Sequence, residues 1–184
     1  MKYRPEVDVR ELPPWPSGKP VLLIAGESGE GKTWLLGRLV TTLADSRQIV
    51  TLVSSAKDPE TQLSRASDNV WQTGLGETSQ KTLGALTMHY RAIAHEIEIP
   101  WLTVAMDDVQ DVDLARDLVR RDWKQWGMRL ALTVPTRVAR SLEMTDSETV
   151  NVHWVGPFTV DELDGLLKQK GRRWTDLPAD LKEL

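Results

Sequence analysis

A chain of 184 residues, 40% hydrophobic and 27% charged with only 12 Gly and 10 Pro, has the makeup of one soluble globular domain with room for the start of a second, which excludes disordered and fibrous classes. The net charge of −4, with no basic stripe, counts against a bulk nucleic-acid binder, because neutralising phosphates takes a cationic excess. The absence of cysteine rules out disulfides, thiolate metal sites and a cysteine nucleophile, and it fits a cytoplasmic setting.

The opening Met1-Lys2-Tyr3-Arg4-Pro5-Glu6 lacks the apolar stretch of a signal peptide. No apolar run approaches the roughly 20 residues that cross a bilayer, so no membrane partner is expected. Residues 1–18, broken by Pro5, Pro13, Pro14 and Pro16, read as an extended lead-in. Val21-Leu22-Leu23-Ile24-Ala25 is continuously apolar, the mark of a strand buried on both faces of a parallel sheet. A Gly-rich loop follows, and then Trp34, Leu35, Leu36, Leu39, Val40 and Leu43 recur at helical spacing. Ile49-Val50-Thr51-Leu52-Val53 is a second strand. Asp58-Pro59 opens a short helix to about Asp68, Trp71 to Ser79 reads as a loop, and a longer helix fills 80–97. Trp101 to Met106 is a third strand ending in Asp107-Asp108. Val112, Ala115, Leu118, Val119 and Trp123 mark another amphipathic helix. Arg129 to Val134 is a fourth strand, and Val150 to Val155 a fifth. Thr159-Val160-Asp161-Glu162 has the capping-box pattern, with Leu163, Leu166 and Leu167 behind it and Gly171 as a stop. Strands alternating with helices imply an α/β fold with a parallel sheet wrapped by helices. The doublets Arg120-Arg121 and Arg172-Arg173 read as solvated, and the tryptophans mostly as large core or edge fillers.

The strongest motif is G-x-x-x-x-G-K-T, Gly26-Glu27-Ser28-Gly29-Glu30-Gly31-Lys32-Thr33. Four fixed positions arise by accident in a chain of this length less than about one time in a hundred. Glycines let successive N–H groups curl around phosphate oxygens, and the helix opening near Lys32 adds its positive end. Lys32 would bridge the β- and γ-phosphates and the Thr33 hydroxyl would hold Mg²⁺; Trp34, next along the helix, is a further nucleotide contact. Glu27 and Glu30 are expected to point to solvent, since an acid facing phosphates is repelled. The apolar strand ending at Asp107-Asp108 supplies a carboxylate for the metal in Asp107 and, in Asp108, an acid to orient or deprotonate the attacking water; the alternative is that one of them caps the next helix. Thr136-Arg137 follows the fourth strand, at the end of the sheet where ligands bind, and Arg137 could read the γ-phosphate, with Arg140 competing. His89, His95 and His153 have no metal-ligand spacing.

Three segments carry a family resemblance. Leu102-Thr-Val-Ala-Met-Asp-Asp-Val-Gln-Asp111 resembles the Walker B segment of the STAND signalling ATPases, the NB-ARC and NACHT relatives. Gly127-Met-Arg-Leu-Ala-Leu-Thr-Val-Pro-Thr-Arg137-Val-Ala is similar to their next strand with its Thr-Arg sensor, although Pro135 intervenes. His153-Trp-Val-Gly-Pro-Phe-Thr-Val-Asp-Glu-Leu163 is similar to their connection into a helical subdomain, with Pro157 as a candidate base contact. The resemblance spans about 19–184. It implies a three-layer P-loop NTPase sandwich with about five parallel strands, order 5-1-4-3-2 and the first strand central. The expected domains are a lead-in at 1–18, a nucleotide-binding domain at 19–156 and the start of a helical subdomain at 157–184. It further implies ATP/ADP and Mg²⁺, catalytic roles for Lys32, Asp108 and Arg137, and a slowly hydrolysing switch that forms a homo-oligomer through the ATPase core when activated. On this reading the chain is a fragment of a bacterial signalling or antiviral-defence protein whose effector and sensor domains lie outside it. The competing readings are a small-molecule kinase, another AAA+-like ATPase and a nucleotide-binding scaffold module. A guanine-reading Asn-Lys-x-Asp motif is absent, which favours ATP over GTP.

Overall fold

The computed structural model describes residues 10–13, 15, 18–46, 48–54, 102–125, 127–169, 171–173 and 175. The expected helices at 58–68 and 80–97, the loop at 71–79, Trp101, His89, His95 and most of the tail from Trp174 lie outside these residues.

Five strands form one parallel sheet in the order β2-β3-β4-β1-β5: β1 Val21–Gly26, β2 Ile49–Ser54, β3 Leu102–Asp107, β4 Met128–Pro135 and β5 Val150–Trp154. This is the expected order, read from the other edge. β1 is an interior strand between β4 and β5, as the resemblance implied, and β4 takes the middle place. The register pairs Ser54 with Asp107, Gly26 with Pro135 and Ala25 with Trp154. Every strand therefore ends on the same edge, where a ligand meets the loops that follow.

The helices are α1 Lys32–Asp45, α2 Val112–Arg120, α3 Thr136–Thr145 and α4 Val160–Gln169. Side chains alternate along a strand, so β1 splits its apolar residues between two cores. Val21, Leu23 and Ala25 join Val104, Met106, Leu130 and Leu132 against Ala115, Leu118 and Val119 of α2 and Val138, Ala139 and Leu142 of α3. Leu22 and Ile24 join Ala105 and Ala131 against Leu35, Leu36 and Leu39 of α1. The result is three layers, with no strand face of β1 left wet.

Helix ends follow local chemistry. Asp111 caps α2, its Oδ1 accepting the N–H groups of Asp113 and Leu114 at 2.8 Å each; neither Asp107 nor Asp108 is the cap. Thr159 and Glu162 close the expected box on α4, at 2.7 Å from Thr159 N–H to Glu162 Oε2 and 3.3 Å from Glu162 N–H to Thr159 Oγ1. At its other end Gly171, at φ +69, lets its own N–H and that of Arg172 reach back to the Lys168 and Leu167 carbonyls, the left-handed stop that glycine permits.

α2 stops at Arg120, short of the expected Trp123. Trp123 is nevertheless fully buried, and its indole N–H donates to the Leu118 carbonyl at 2.6 Å. Apolar spacing marks burial but does not tell a helical residue from one tucked beneath the helix end. The Arg120-Arg121 doublet is paired rather than only solvated: Arg120 bonds Asp146 at 2.8 Å and Arg121 bonds Asp117 at 2.7 Å. At the base of the sheet Arg129 is buried, donating to Thr103 Oγ1 at 2.9 Å and to Gln48, with its guanidinium 4.0 Å from the Trp15 ring centre. Among the described residues no helix is long and apolar enough to cross a membrane.

Candidate functional site

The loop Gly26–Gly31 joins the end of β1 to α1, and two of its glycines are required by close approach. A Cβ on Gly26 would stand 2.6 Å from the Val155 carbonyl oxygen, where the ends of β1 and β5 converge and Val155 N–H bonds the Ala25 carbonyl at 2.7 Å. Gly31 is the N-cap of α1 at φ +84, a left-handed conformation that L side chains rarely adopt, and a Cβ there would also strike the Phe158 ring. The first helical bond of α1 runs from Leu35 N–H to the Gly31 carbonyl. The N–H groups of Lys32, Thr33 and Trp34 precede that ladder, no side chain caps them, and no acid sits in the first turn. A helix start left open in this way is an anion-binding site.

Lys32 points its ammonium back across the loop to the Glu27 carbonyl at 2.6 Å. Glu27 is exposed, as expected, but Glu30 is not turned to solvent: its carboxylate folds back to accept the Glu27 N–H at 2.5 Å. The amide donors of so tight a loop need partners, and Glu30 satisfies one of them.

The acidic strand tip closes the site from the other side. Thr33 Oγ1 donates to Asp107 Oδ1 at 3.1 Å, and the same oxygen accepts Thr133 Oγ1 at 2.5 Å. Thr133 in turn accepts the Asp108 N–H at 2.7 Å. Asp108 turns the chain with φ +57, a left-handed conformation that Asp tolerates better than most residues, and its exposed carboxylate accepts from Gln110 Nε2. Thr33 and Asp107, the two expected metal ligands, are thus brought together as hard oxygen donors, and such a pair fits Mg²⁺ held mainly by water and phosphate oxygens. The described residues contain no cluster of three or more acidic, His or Cys ligands that would make an all-protein cage.

A cavity of about 900 Å³ opens between the loop, α1 and the tips of β2, β3 and β4. Lys32, Thr33, Trp34, Asp107, Asp108 and Thr133 line it. Arg137 and Pro157 do not. Arg137 is exposed in the first turn of α3 and donates to the Gln110 carbonyl at 3.2 Å, while Pro157 is exposed after β5. Thr133 lines the cavity and bonds Asp107, and the motifs missed it. A hydroxyl inside the apolar run Leu130-Ala131-Leu132-Thr133-Val134 is itself a signal, since a buried polar atom must find a partner, and here it is 1% exposed.

His153 on β5 is half-buried, and burial first, then the charge of Arg10, holds its pKa below the usual 6.5. At Glu162 burial opposes ionisation, but the hydrogen bonds from Arg10 and Thr159 and the Arg10 charge prevail and hold the carboxyl below 4.5. For His153 the unfolded chain binds the proton more readily, so stability falls as pH drops below its unfolded value; for Glu162 the stabilisation is present above its unfolded value and is lost as pH falls through the lower folded one. Urea midpoints should therefore stay level above about pH 7, decline from about pH 6.5 downward, and decline further below about pH 4.5. His153→Asn should flatten the upper limb and leave the lower one. An unchanged upper limb would show that His153 is not its source.

No family model matches the chain, and no curated protein matches it. Among solved structures it is similar to AMPPCP-bound DnaA from Aquifex aeolicus, with a TM-score of 0.42 and 12% identity over 90% of this chain and 49% of that one. It is also similar to PCH-2 from C. elegans, with a TM-score of 0.38 and 14% identity over 82% of this chain and 38% of that one. The chain thus spans about half the length of the first and a smaller share of the second.

Proposed function

We propose that the chain is an ATP-binding, slowly hydrolysing switch domain of STAND type. The observation that carries the reading is the convergence of Thr33 and Thr133 on one oxygen of Asp107, beside an uncapped helix start in a cavity large enough for a nucleotide. The α1 amides and Lys32 bind the phosphates, with Lys32 exchanging its Glu27 carbonyl for phosphate oxygens. Thr33 and Asp107 would hold Mg²⁺, which would supply positive charge to offset that of the phosphates. Thr133 fixes the rotamer of Asp107, and Asp108, at the outer edge of the cavity, orients or deprotonates the attacking water. In this scheme Arg137 swings from the Gln110 carbonyl to the γ-phosphate, Pro157 moves from its place outside the cavity to approach the base, and residues 157–184 begin a helical subdomain. The chain then belongs to a larger cytoplasmic signalling or defence protein that oligomerises through this core, with ADP holding it closed and ATP with a trigger favouring assembly.

The test is phosphate release from ATP with Mg²⁺ and no added acceptor, which separates hydrolysis from transfer by a kinase. Tight ATP binding with no release under any condition would remove the hydrolytic part and leave a scaffold. Thr133→Val keeps the shape of the side chain but strips Asp107 and the Asp108 N–H of their partner. It should slow turnover by about 10- to 100-fold, the usual cost of losing a group that orients a metal ligand, with ATP affinity changed less than about threefold. Turnover equal to wild type in a steady-state phosphate assay would remove Thr133 from the mechanism.

A further inference from the structure

Arg10 stands ahead of the first strand, outside every sequence motif, and its guanidinium is where three parts of the chain meet. Nη1 donates to the Glu30 carbonyl of the phosphate loop at 2.8 Å. Nε and Nη2 fork onto the two carboxylate oxygens of Glu162, in the first turn of α4, at 2.7 and 3.1 Å. The guanidinium carbon also lies 3.9 Å from the centre of the Phe158 ring, the ring that closes over Gly31. The backbone of Arg10 is held too, since its carbonyl accepts from Arg38 Nη1.

The bond to Glu30 bears on the phosphate site through the geometry of one peptide. A trans peptide is planar, and its C=O and N–H point to opposite sides. Arg10 grips the Glu30 carbonyl, so the N–H of Gly31, which belongs to the same plane, faces away from Arg10. Gly31 lines the cavity, and N–H groups turned inward from a loop of this kind form an anion cradle. A guanidinium can serve a carbonyl and a carboxylate at once because its five donors lie in one rigid plane; a lysine ammonium is a point charge on a flexible stem. The Arg10 and Glu162 side chains are 11% and 19% exposed, so water replaces neither partner well. The same Glu162 carboxylate accepts the Thr159 N–H, so a shift of Glu162 disturbs the start of α4 as well.

We propose that Arg10 is a positioning residue for the phosphate loop, holding the Glu30–Gly31 peptide with its N–H toward the phosphates, and that through Glu162 it links nucleotide affinity to the seating of α4 on the loop. The proposal rests on the nucleotide-binding reading of the site and adds to it a partner for the loop within the chain. Linkage is reciprocal: whatever loosens α4 weakens nucleotide binding, and nucleotide tightens α4 by the same factor.

The experiment compares full-length wild type, Arg10→Lys, Glu162→Gln and the double variant by ATP calorimetry and by amide exchange of residues 160–169 with and without ATP. Glutamine keeps the capping acceptor of Glu162 while removing its charge. Each single variant should weaken ATP binding by about tenfold. The double variant should be no weaker than the worse single, because both cut one link. ATP should slow exchange in α4 of the wild type and do so less in the variants. If Arg10→Lys fails to fold, Glu162→Gln carries the same comparison. Variants that melt earlier but keep wild-type affinity and wild-type protection of α4 would overturn the coupling alone and make the contact merely structural. A wild type that binds no ATP would overturn the nucleotide reading and the coupling with it.

Discussion

Lys32→Ala should weaken ATP binding by about 10- to 150-fold and leave stability nearly unchanged. The magnitude follows from the loss of charge-assisted hydrogen bonds to phosphate oxygens, each about 1.5–3 kcal/mol, at about 1.4 kcal/mol per tenfold. Stability should hold because the Lys32 ammonium bonds the Glu27 carbonyl in an exposed setting. The helix it opens is fixed instead by Leu35, Leu36 and Leu39 against the sheet. Titration calorimetry with ATP and Mg²⁺ gives the affinity, and a urea melt of the same sample gives the stability. Unchanged affinity would sink the nucleotide reading of the loop, whatever the motif says.

Trp123→Ala should be the most damaging single change away from the site. Removing a fully buried tryptophan leaves a cavity worth about 3–5 kcal/mol, a large part of the roughly 5–15 kcal/mol that holds a typical domain together. Trp123 lies in the core shared by α2, α3 and the sheet, and its N–H joins that of Arg121 on the Leu118 carbonyl at the end of α2. Trp123→Phe should retain most of the packing and lose that bond, costing about 1 kcal/mol plus a small void. Trp154→Ala is the matched control, since Trp154 is exposed at the end of an edge strand. A urea midpoint for Trp123→Ala no lower than that of Trp154→Ala would contradict the packing account.

The parts of the molecule that repeat or punctuate were legible in the sequence. A continuous apolar run marked β1, and largely apolar runs marked β3 and β4, because a strand covered on both faces has little room for a polar alternate. Gly31-Lys32-Thr33 marked the loop because the backbone there needs a glycine and the phosphates need a cation. Asp107 was legible as a carboxylate at a strand tip. What escaped were residues whose role is set by three-dimensional neighbours far away in sequence. Thr133 is a routine strand residue until the register of β4 beside β3 brings it to Asp107. Arg10 is one more cation in a proline-rich segment until α4 returns with Glu162. Glu30 was expected outside on a charge argument that considered only the phosphates, while the Glu27 N–H decided its position. The end of α2 is not legible in the periodicity, which reports which residues are covered and not what backbone carries them.

The path of the lead-in has a practical consequence. Arg10 is held at the phosphate loop, whereas Trp15 stacks on Arg129 near the start of β4. Five residues at about 3.3 Å each reach about 17 Å, the depth of a strand of this sheet. Arg10 thus stands at one end of the sheet and Trp15 toward the other, where β1 begins. A purification tag or fluorophore joined upstream of Arg10 consequently enters the domain at the nucleotide end, although β1 itself begins at the far end. A label meant to stay clear of the cavity belongs elsewhere, and one meant to report its occupancy has a natural attachment point there.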